Sequence, residues 1–402
     1  MINYQQNQKE VFFMLNFLAE YINEHCDFND ERQSGKVKYQ ISTIFILVFI
    51  GLLCSYTNIL SISYFIKRNK KTFQKYELLK NNEAPGKTTY YRLLNYMNWE
   101  EIKNLSQEIY DALPEYIKLE VSDKNKITKI LDGKFIISSK RGRKRGYNIV
   151  TLFDPNTNLP IDMYCVNTHD SEKNALPKLI ETLNAGDIIS GDAIYCDNTI
   201  INLLIKKNID FTFSLKKNNK DLLKVSKEIL NNESFIKDQQ YYYEKKEYTE
   251  IKNGYIIKKT FEKIDYANEI EDIITKDGQK YKGIRTCVKR TIEKIHKKTG
   301  KKTKHTIYFI SSLFDFDTII KTINEHWLIE SYHWHLDMVL DEDHCSVSNK
   351  NVAMILNIIR KLVLLIIEFP MFKYKCVSKK DRLKINLENI DICINKLIQE
   401  LV

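Results

Sequence analysis

The stretch Ile127-Thr128-Lys129-Ile130-Leu131-Asp132-Gly133 (ITKILDG) sets a short apolar, β-branched run directly before an aspartate and a glycine. Such a run, bounded by Asp-Gly, reads as a strand with the acid at its carboxyl end. Downstream, Asp187-Ile188-Ile189-Ser190-Gly191-Asp192 repeats the arrangement, a strand over 187–190 running into Gly-Asp. Either aspartate alone is an ordinary strand terminator. Together, at matching strand ends, they form a candidate site, provided that the two strands are neighbours.

What lies between them bears on that condition. Strands are expected at 127–131, 147–153 and 160–166, the last two joined by the turn Asp154-Pro155-Asn156-Thr157-Asn158. A helix at 174–183, a strand at 187–190, a helix at 199–207 and a strand at 211–215 follow. The order β-β-β-α-β-α-β is that of an RNase H-like core, an α/β fold with a mixed sheet whose first and fourth strands lie side by side and parallel. Asp132 and Asp192 then meet at the edge where open α/β sheets collect ligands. Two carboxylates so close repel unless a cation lies between them, and a hard divalent ion such as Mg²⁺ is the natural partner.

Beyond this core the composition turns polar over 216–304, with alternation in Gln240-Tyr241-Tyr242-Tyr243-Glu244 and across 254–261, which reads as a β-rich insertion. Strand character returns at 307–311. The segment NEHWLIESYHWHLD, 324–337, then crowds ionisable and aromatic side chains together. On a helix His326, Glu330, His333, Trp334 and Asp337 fall at i−4, i, i+3, i+4 and i+7 and share a face. That face suits either a metal or proton-transfer site or an amphipathic helix with packed His and Trp. Coming after the fifth strand, Glu330 stands where RNase H-like enzymes complete a metal site.

The first 125 residues read as helical, with apolar spacing at 11–22, 43–54, 59–66 and 90–96. No charge interrupts 41–66, yet Ser55-Tyr56-Thr57-Asn58 breaks it with helix-capping residues, so two buried helices are expected, the second from Asn58, and no membrane span. Pro85-Gly86-Lys87-Thr88-Thr89 leads into a short helix on which Thr88 and Arg92 could face DNA. The formal charge of +10 is concentrated in Lys134, Lys140, Arg141, Arg143, Lys144 and Arg145 and again in Lys294, Lys297, Lys298, Lys301, Lys302 and Lys304, patches that suit a polyanion such as nucleic acid. Eight scattered cysteines without C-x-x-C spacing suggest neither a zinc knuckle nor a disulfide scaffold, and reduced, cytosolic thiols are expected. The polar start, 1–9, carries no secretory signal pattern.

Several blocks resemble one family. Asp132-Gly133-Lys134, then Ser190-Gly191-Asp192-Ala193-Ile194-Tyr195-Cys196, then Phe213-Ser214-Leu215-Lys216-Lys217-Asn218 are similar to the DDE transposases of insertion sequences related to the H-repeat-associated proteins. Tyr308-Phe309-Ile310-Ser311-Ser312-Leu313 and His326-Trp327-Leu328-Ile329-Glu330, with His333-Trp334 and Leu336-Asp337, continue the likeness in order and spacing. Gly35-Lys36-Val37-Lys38-Tyr39 and Lys87-Thr88-Thr89-Tyr90-Tyr91-Arg92 resemble that family's leading domain, so the resemblance covers roughly 35–370. The usual Leu-Arg-Gly-Ser after the first Asp-Gly-Lys is here Phe135-Ile136-Ile137-Ser138. The Arg common six residues before the Glu is Asn324, and the Lys that related families carry two turns after it is Asp337.

The resemblance implies Asp132, Asp192 and Glu330 as catalytic acids holding two Mg²⁺ (or Mn²⁺) ions. They would cut and join double-stranded DNA at the terminal inverted repeats and the target, within a homodimeric synaptic complex associated with the cytoplasmic nucleoid. Lys134, Lys216 and Lys217 are expected on DNA phosphates, with His326, Trp327, His333, Trp334 and Asp337 in support. Two alternatives stay open, a metal-dependent nuclease without strand transfer and a DNA-binding descendant without catalysis. The expected division is 1–125 helical, 126–215 and 307–370 core, 216–306 insertion, and 371–402 a helical tail.

Overall fold

The computed structural model describes residues 14–26, 37–80, 83–115, 117–118, 127–136, 146–166, 171–238, 242–265, 281–344 and 346–399. Its centre is one mixed sheet. Strands β1 (Thr128–Ile136), β2 (Tyr147–Asp154) and β3 (Leu159–Val166) form an antiparallel meander, and β4 (Ile188–Gly191) and β5 (Asp210–Leu215) add to the other side of β1 in parallel. Four longer strands, β6 (Tyr243–Lys252), β7 (Tyr255–Asp265), β8 (Thr286–His296) and β9 (Lys302–Ser311), extend the sheet antiparallel from β5, giving the order β3-β2-β1-β4-β5-β9-β8-β7-β6.

Two expectations change in detail. The first strand does not stop at Asp132-Gly133: β1 runs on to Ile136 because β2 keeps pairing with it, Asp132 opposite Thr151 and Ile136 opposite Tyr147. What stops at Leu131 is the pairing with β4, whose last partner is Gly191. The polar stretch after 215 also opens with helix rather than strand, since Leu222, Ser226, Ile229 and Leu230 recur at helical spacing and are buried.

Helices cover both faces. Before the sheet come α1 (Met14–Cys26), α2 (Ile41–Leu53), α3 (Ile59–Arg68), α4 (Lys70–Lys75), α5 (Lys87–Tyr96), α6 (Trp99–Ile102) and α7 (Leu105–Ala112). Then follow α8 (Leu176–Glu181), α9 (Asn198–Lys206), α10 (Lys220–Asn231) and α11 (Glu233–Asp238). After β9 come α12 (Phe316–Glu325), α13 (Trp327–Met338), α14 (Lys350–Ile366), α15 (Lys379–Glu388) and α16 (Ile390–Ile398). Strand alternation sorts the core: Ile130 joins α13, α14 and the amino-terminal helices on one face, while Leu131 joins α8, α9 and α10 on the other.

The apolar run 41–66 is two helices. All of α2 but Thr43 is buried, and Asn58 caps α3 by accepting from the Ser61 N–H at 2.9 Å. Among the described residues no helix is long and apolar enough to cross a membrane. From Val352 onward every residue of α14 is buried, because it lies between the amino-terminal helices and the sheet. The helical start of the chain therefore shares a core with the α/β part. In the tail, Cys393, Ile394 and Leu397 of α16 pack into the same core.

Beneath α13 lies a buried ion cluster. Lys134 Nζ is 2.6 Å from Asp337, 2.9 Å from Glu342 and 3.4 Å from Asp343. Asn357 donates to Glu342 at 2.8 Å, and the Arg360 guanidinium stands 4.0 Å from it while donating to the Thr57 carbonyl at 3.0 Å. Burial pushes the Glu342 carboxyl up, but Lys134 and Arg360 outweigh it and hold it at about 2. Burial likewise pulls Lys134 down and Glu342 and Asp337 overcome it, leaving the ammonium above its ordinary value. Lys361 is compensated less: burial outweighs Glu342 and Asp162 and pulls it down to about 8.

These two buried lysines have opposite expected effects. Lys134→Met strands Glu342 and Asp337 and should cost about 3–5 kcal/mol in chemical denaturation. Lys361→Met should be neutral or stabilising at neutral pH, because a lysine with a depressed folded value loses stability as pH falls from 10.5 to about 8 and stays penalised below. Equal losses in the two variants would contradict this assignment. Glu342 has the depressed carboxylate's sign: its contribution is full above pH 4.5 and is lost as pH falls toward 2.

Candidate active site

The parallel register of β1 and β4 builds the site. Leu131 pairs with Gly191, so Asp132 and Asp192 are each the next residue on neighbouring strands, which lie about 4.8 Å apart. Asp132 is two residues past Ile130 and Asp192 two past Ser190, so both share the sheet face that α13 covers. Gly133 leaves room for a neighbour: a Cβ there would stand 2.4 Å from the Glu172 carboxyl carbon, which would have to move aside. Glu172 accepts from Asn148 at 2.7 Å and from the Tyr195 hydroxyl at 3.1 Å, and is a fourth carboxylate near this edge that the sequence reading missed. Burial, and Glu172 after it, push the Tyr195 phenol well above its ordinary value.

The expected single helix over 324–337 is two helices joined at His326, which closes α12 and opens α13. His326 nevertheless meets the sheet, its Nδ1 3.0 Å from the Ser190 hydroxyl. Burial lowers its pKa, against the pull of Asp132 and Asp192, so the ring is neutral at physiological pH. Along α13, Ile329, Tyr332 and Leu336 pack into the core, and His333 and Asp337 reach β1: His333 Nδ1 lies 3.3 Å from Asp132, and Asp337 is the Lys134 partner. Trp334, 100° around the helix from His333, faces solvent with 56 % of its surface exposed, and Trp327 is 47 % exposed.

Glu330 is on the exposed side of α13 at the wall of a cavity of about 520 Å³, which Asp192, Ser214, Lys216, Lys217, His326 and Trp327 also line. Burial of its carboxyl, followed by the charges of Asp132 and Asp192, raises the Glu330 pKa. Lys216 Nζ is 2.7 Å from Asp192, whose other oxygen accepts from Ser214 at 3.3 Å. Among the described residues no three His, Cys, Asp or Glu side chains close around a point where an ion could sit. The donor chemistry does suit one: three carboxylates on one edge, mutually repelling, are the set that a hard divalent ion neutralises.

Of the expected phosphate contacts, Lys216 and Lys217 line the cavity. Lys134 does not, because its three carboxylate partners take its ammonium into the interior, where it is 8 % exposed. Thr88 and Arg92 are one turn apart on the exposed side of α5, outside the cavity lining. Arg141, Arg143, Lys144 and Arg145 lie outside the described residues. The cavity also takes in Arg290 from β8, which no motif marked. A Lys/Arg-rich strand on an insertion offers no pattern that singles out Arg290 as the arginine turned inward.

Comparison with known proteins gives a family match. The family model described as the transposase DDE domain matches residues 123–366, and the model of its associated domain matches 26–108. The chain is 24% identical over 347 residues to the H repeat-associated protein YhhI of Escherichia coli strain K12, covering 83% of this chain and 86% of that one. It is likewise 24% identical over 346 residues to YbfL of the same strain, with 83% and 86% covered, and over 341 residues to YncI of Escherichia coli O157:H7, with 83% and 84% covered.

The raised Glu330 carboxyl has a stability consequence. Its folded value exceeds the unfolded one, so the protonated form favours folding and stability declines as pH rises from 4.5 through the raised value. Glu330→Gln should therefore lift the thermal midpoint at neutral pH by on the order of 1 °C. The gain should vanish in acid. Equal midpoints at neutral pH would mean that neither burial nor the neighbouring charges penalise the Glu330 carboxylate.

Proposed function

We propose how this chain acts from one premise, that it belongs to the DDE transposase family. Its sheet is read as an RNase H-like core at whose edge Asp132, Asp192 and Glu330 cut and join DNA strands at the ends of an insertion sequence. The observation that carries this reading is the register: two aspartates, 60 positions apart in sequence, become neighbours where β1 and β4 part.

In this reading the three carboxylates would hold two Mg²⁺ or Mn²⁺ ions, which when bound supply an activated oxygen nucleophile and charge neutralisation for in-line displacement at phosphorus. The remaining work falls to the chain. Lys216 is exposed enough to leave Asp192 and take a phosphate oxygen when DNA enters. His333 keeps the Asp132 carboxylate turned toward α13, and neutral His326 holds the α12–α13 joint on Ser190. The exposed Lys294, Lys297, Lys298, Lys301, Lys302 and Lys304 at the tip of the β8–β9 hairpin form a basic arm for the duplex backbone. A dimer is part of the reading, because joining needs two ends held together.

The test uses purified protein, Mg²⁺ or Mn²⁺ and a labelled duplex carrying the DNA that flanks the gene, beside Asp192→Asn and Glu330→Gln. Metal-dependent cleavage and joined products are expected, reduced by a thousand-fold or more, roughly, in each variant, since such groups act as a unit. Cleavage without joining would make the chain a nuclease. Binding without cleavage under either metal would leave a DNA-binding protein only.

A further inference from the structure

Arg290 sits in β8 with 3 % of its surface exposed. Its guanidinium lies between two aromatic rings, 5.3 Å from the Phe309 centroid and 5.5 Å from that of Trp327. Among the described residues it has no ion pair and no hydrogen-bond acceptor, and its Nε is buried without a partner. An arginine stays charged even where burial lowers its pKa, as it does here. A buried cation held by ring faces but by no anion is costly unless an anion arrives.

The rings and the guanidinium all line the cavity that holds Asp192, Lys216 and Glu330. Trp327 and Glu330 are three residues apart on α13, hence neighbours on its surface. Arg290 and Glu330 influence each other's charge and yet form no ion pair, so a gap separates a cation from a carboxylate that its neighbours already repel. A phosphodiester fits that gap by charge, and the planar fork of an arginine fits two of its oxygens.

We propose that Arg290 grips the phosphodiester at which the reaction occurs, aimed by Phe309 and Trp327, and so completes the site from the inserted strands. The assignment deepens the transposase reading and rests on it. Lys216 and the basic arm draw in the duplex, while Arg290 engages only the phosphate seated beside Glu330. Its loss should therefore be felt in the rate at saturating DNA and little in affinity.

The chain has three tryptophans, so Trp99→Phe with Trp334→Phe leaves Trp327 as the sole tryptophan, read by excitation beyond the tyrosine band. In that full-length background, native Arg290, Arg290→Lys and Arg290→Gln are titrated with the flanking duplex, first in a chelator and then under single-turnover cleavage in Mg²⁺. Affinities within about two-fold are expected, with roughly a hundred-fold slower cleavage in both variants because lysine lacks the fork. DNA should change Trp327 emission with Arg290 present and not with Gln. Unaltered cleavage and emission response in Arg290→Gln, at an unaltered thermal midpoint, would reduce Arg290 to a packing residue. If Gln prevents folding, Arg290→Lys decides by the same two readings. If the native protein binds DNA and cuts with neither Mg²⁺ nor Mn²⁺, the transposase reading fails by itself, and the emission comparison still decides whether Arg290 meets phosphate.

Discussion

Lys134 stands on the same face of β1 as Asp132, two residues on, with its ammonium group among Asp337, Glu342 and Asp343. That contact fixes α13 along β1. Asp337 is one turn beyond His333, which touches Asp132, and two turns beyond Glu330. With Asp337 held to Lys134, the helix can neither slide nor rotate without breaking a buried pair, and Glu330 is delivered to the end of the sheet where β1 and β4 part. The same cluster reaches through Glu342, Asn357 and Arg360 to the Thr57 carbonyl, so the amino-terminal helices brace the helix from behind.

A well-compensated cluster lies next to an uncompensated one. Around Lys134 the buried carboxylate has cations beside it, and Glu342 stays ionised at full burial. Two turns back along α13 the balance is reversed, with Glu330 raised by burial and then by Asp132 and Asp192, and Arg290 buried without an ion-pair partner among the described residues. The fold tolerates stranded charge of both signs within one cavity, which is the arrangement expected where metal ions and phosphate are meant to enter.

Much of this was legible in the sequence. Two apolar runs meeting Asp132 and Asp192, separated by elements of the right number and type, were enough to place both acids on neighbouring strands. Local pattern could not tell that β1 continues past Asp132, because β2 pairing, a long-range contact, sustains it. The heptad-like spacing of His326 to Asp337 foretold a shared face but not the break at His326 or the outward turn of Trp334. Lys134 read as a surface cation because three of its partners lie about 200 positions away. Arg290 was lost among many lysines. Its meaning comes from two rings on other elements.

In the proposed reading Asp132, Asp192 and Glu330 form one divalent-ion site. Mn²⁺ bound per chain, measured by electron paramagnetic resonance on the protein with its flanking duplex, addresses it without relying on turnover. Saturable binding in the native protein, lost in Asp132→Asn and in Glu330→Gln alike while the fold persists, is the predicted result. Undiminished Mn²⁺ binding in both variants would contradict it.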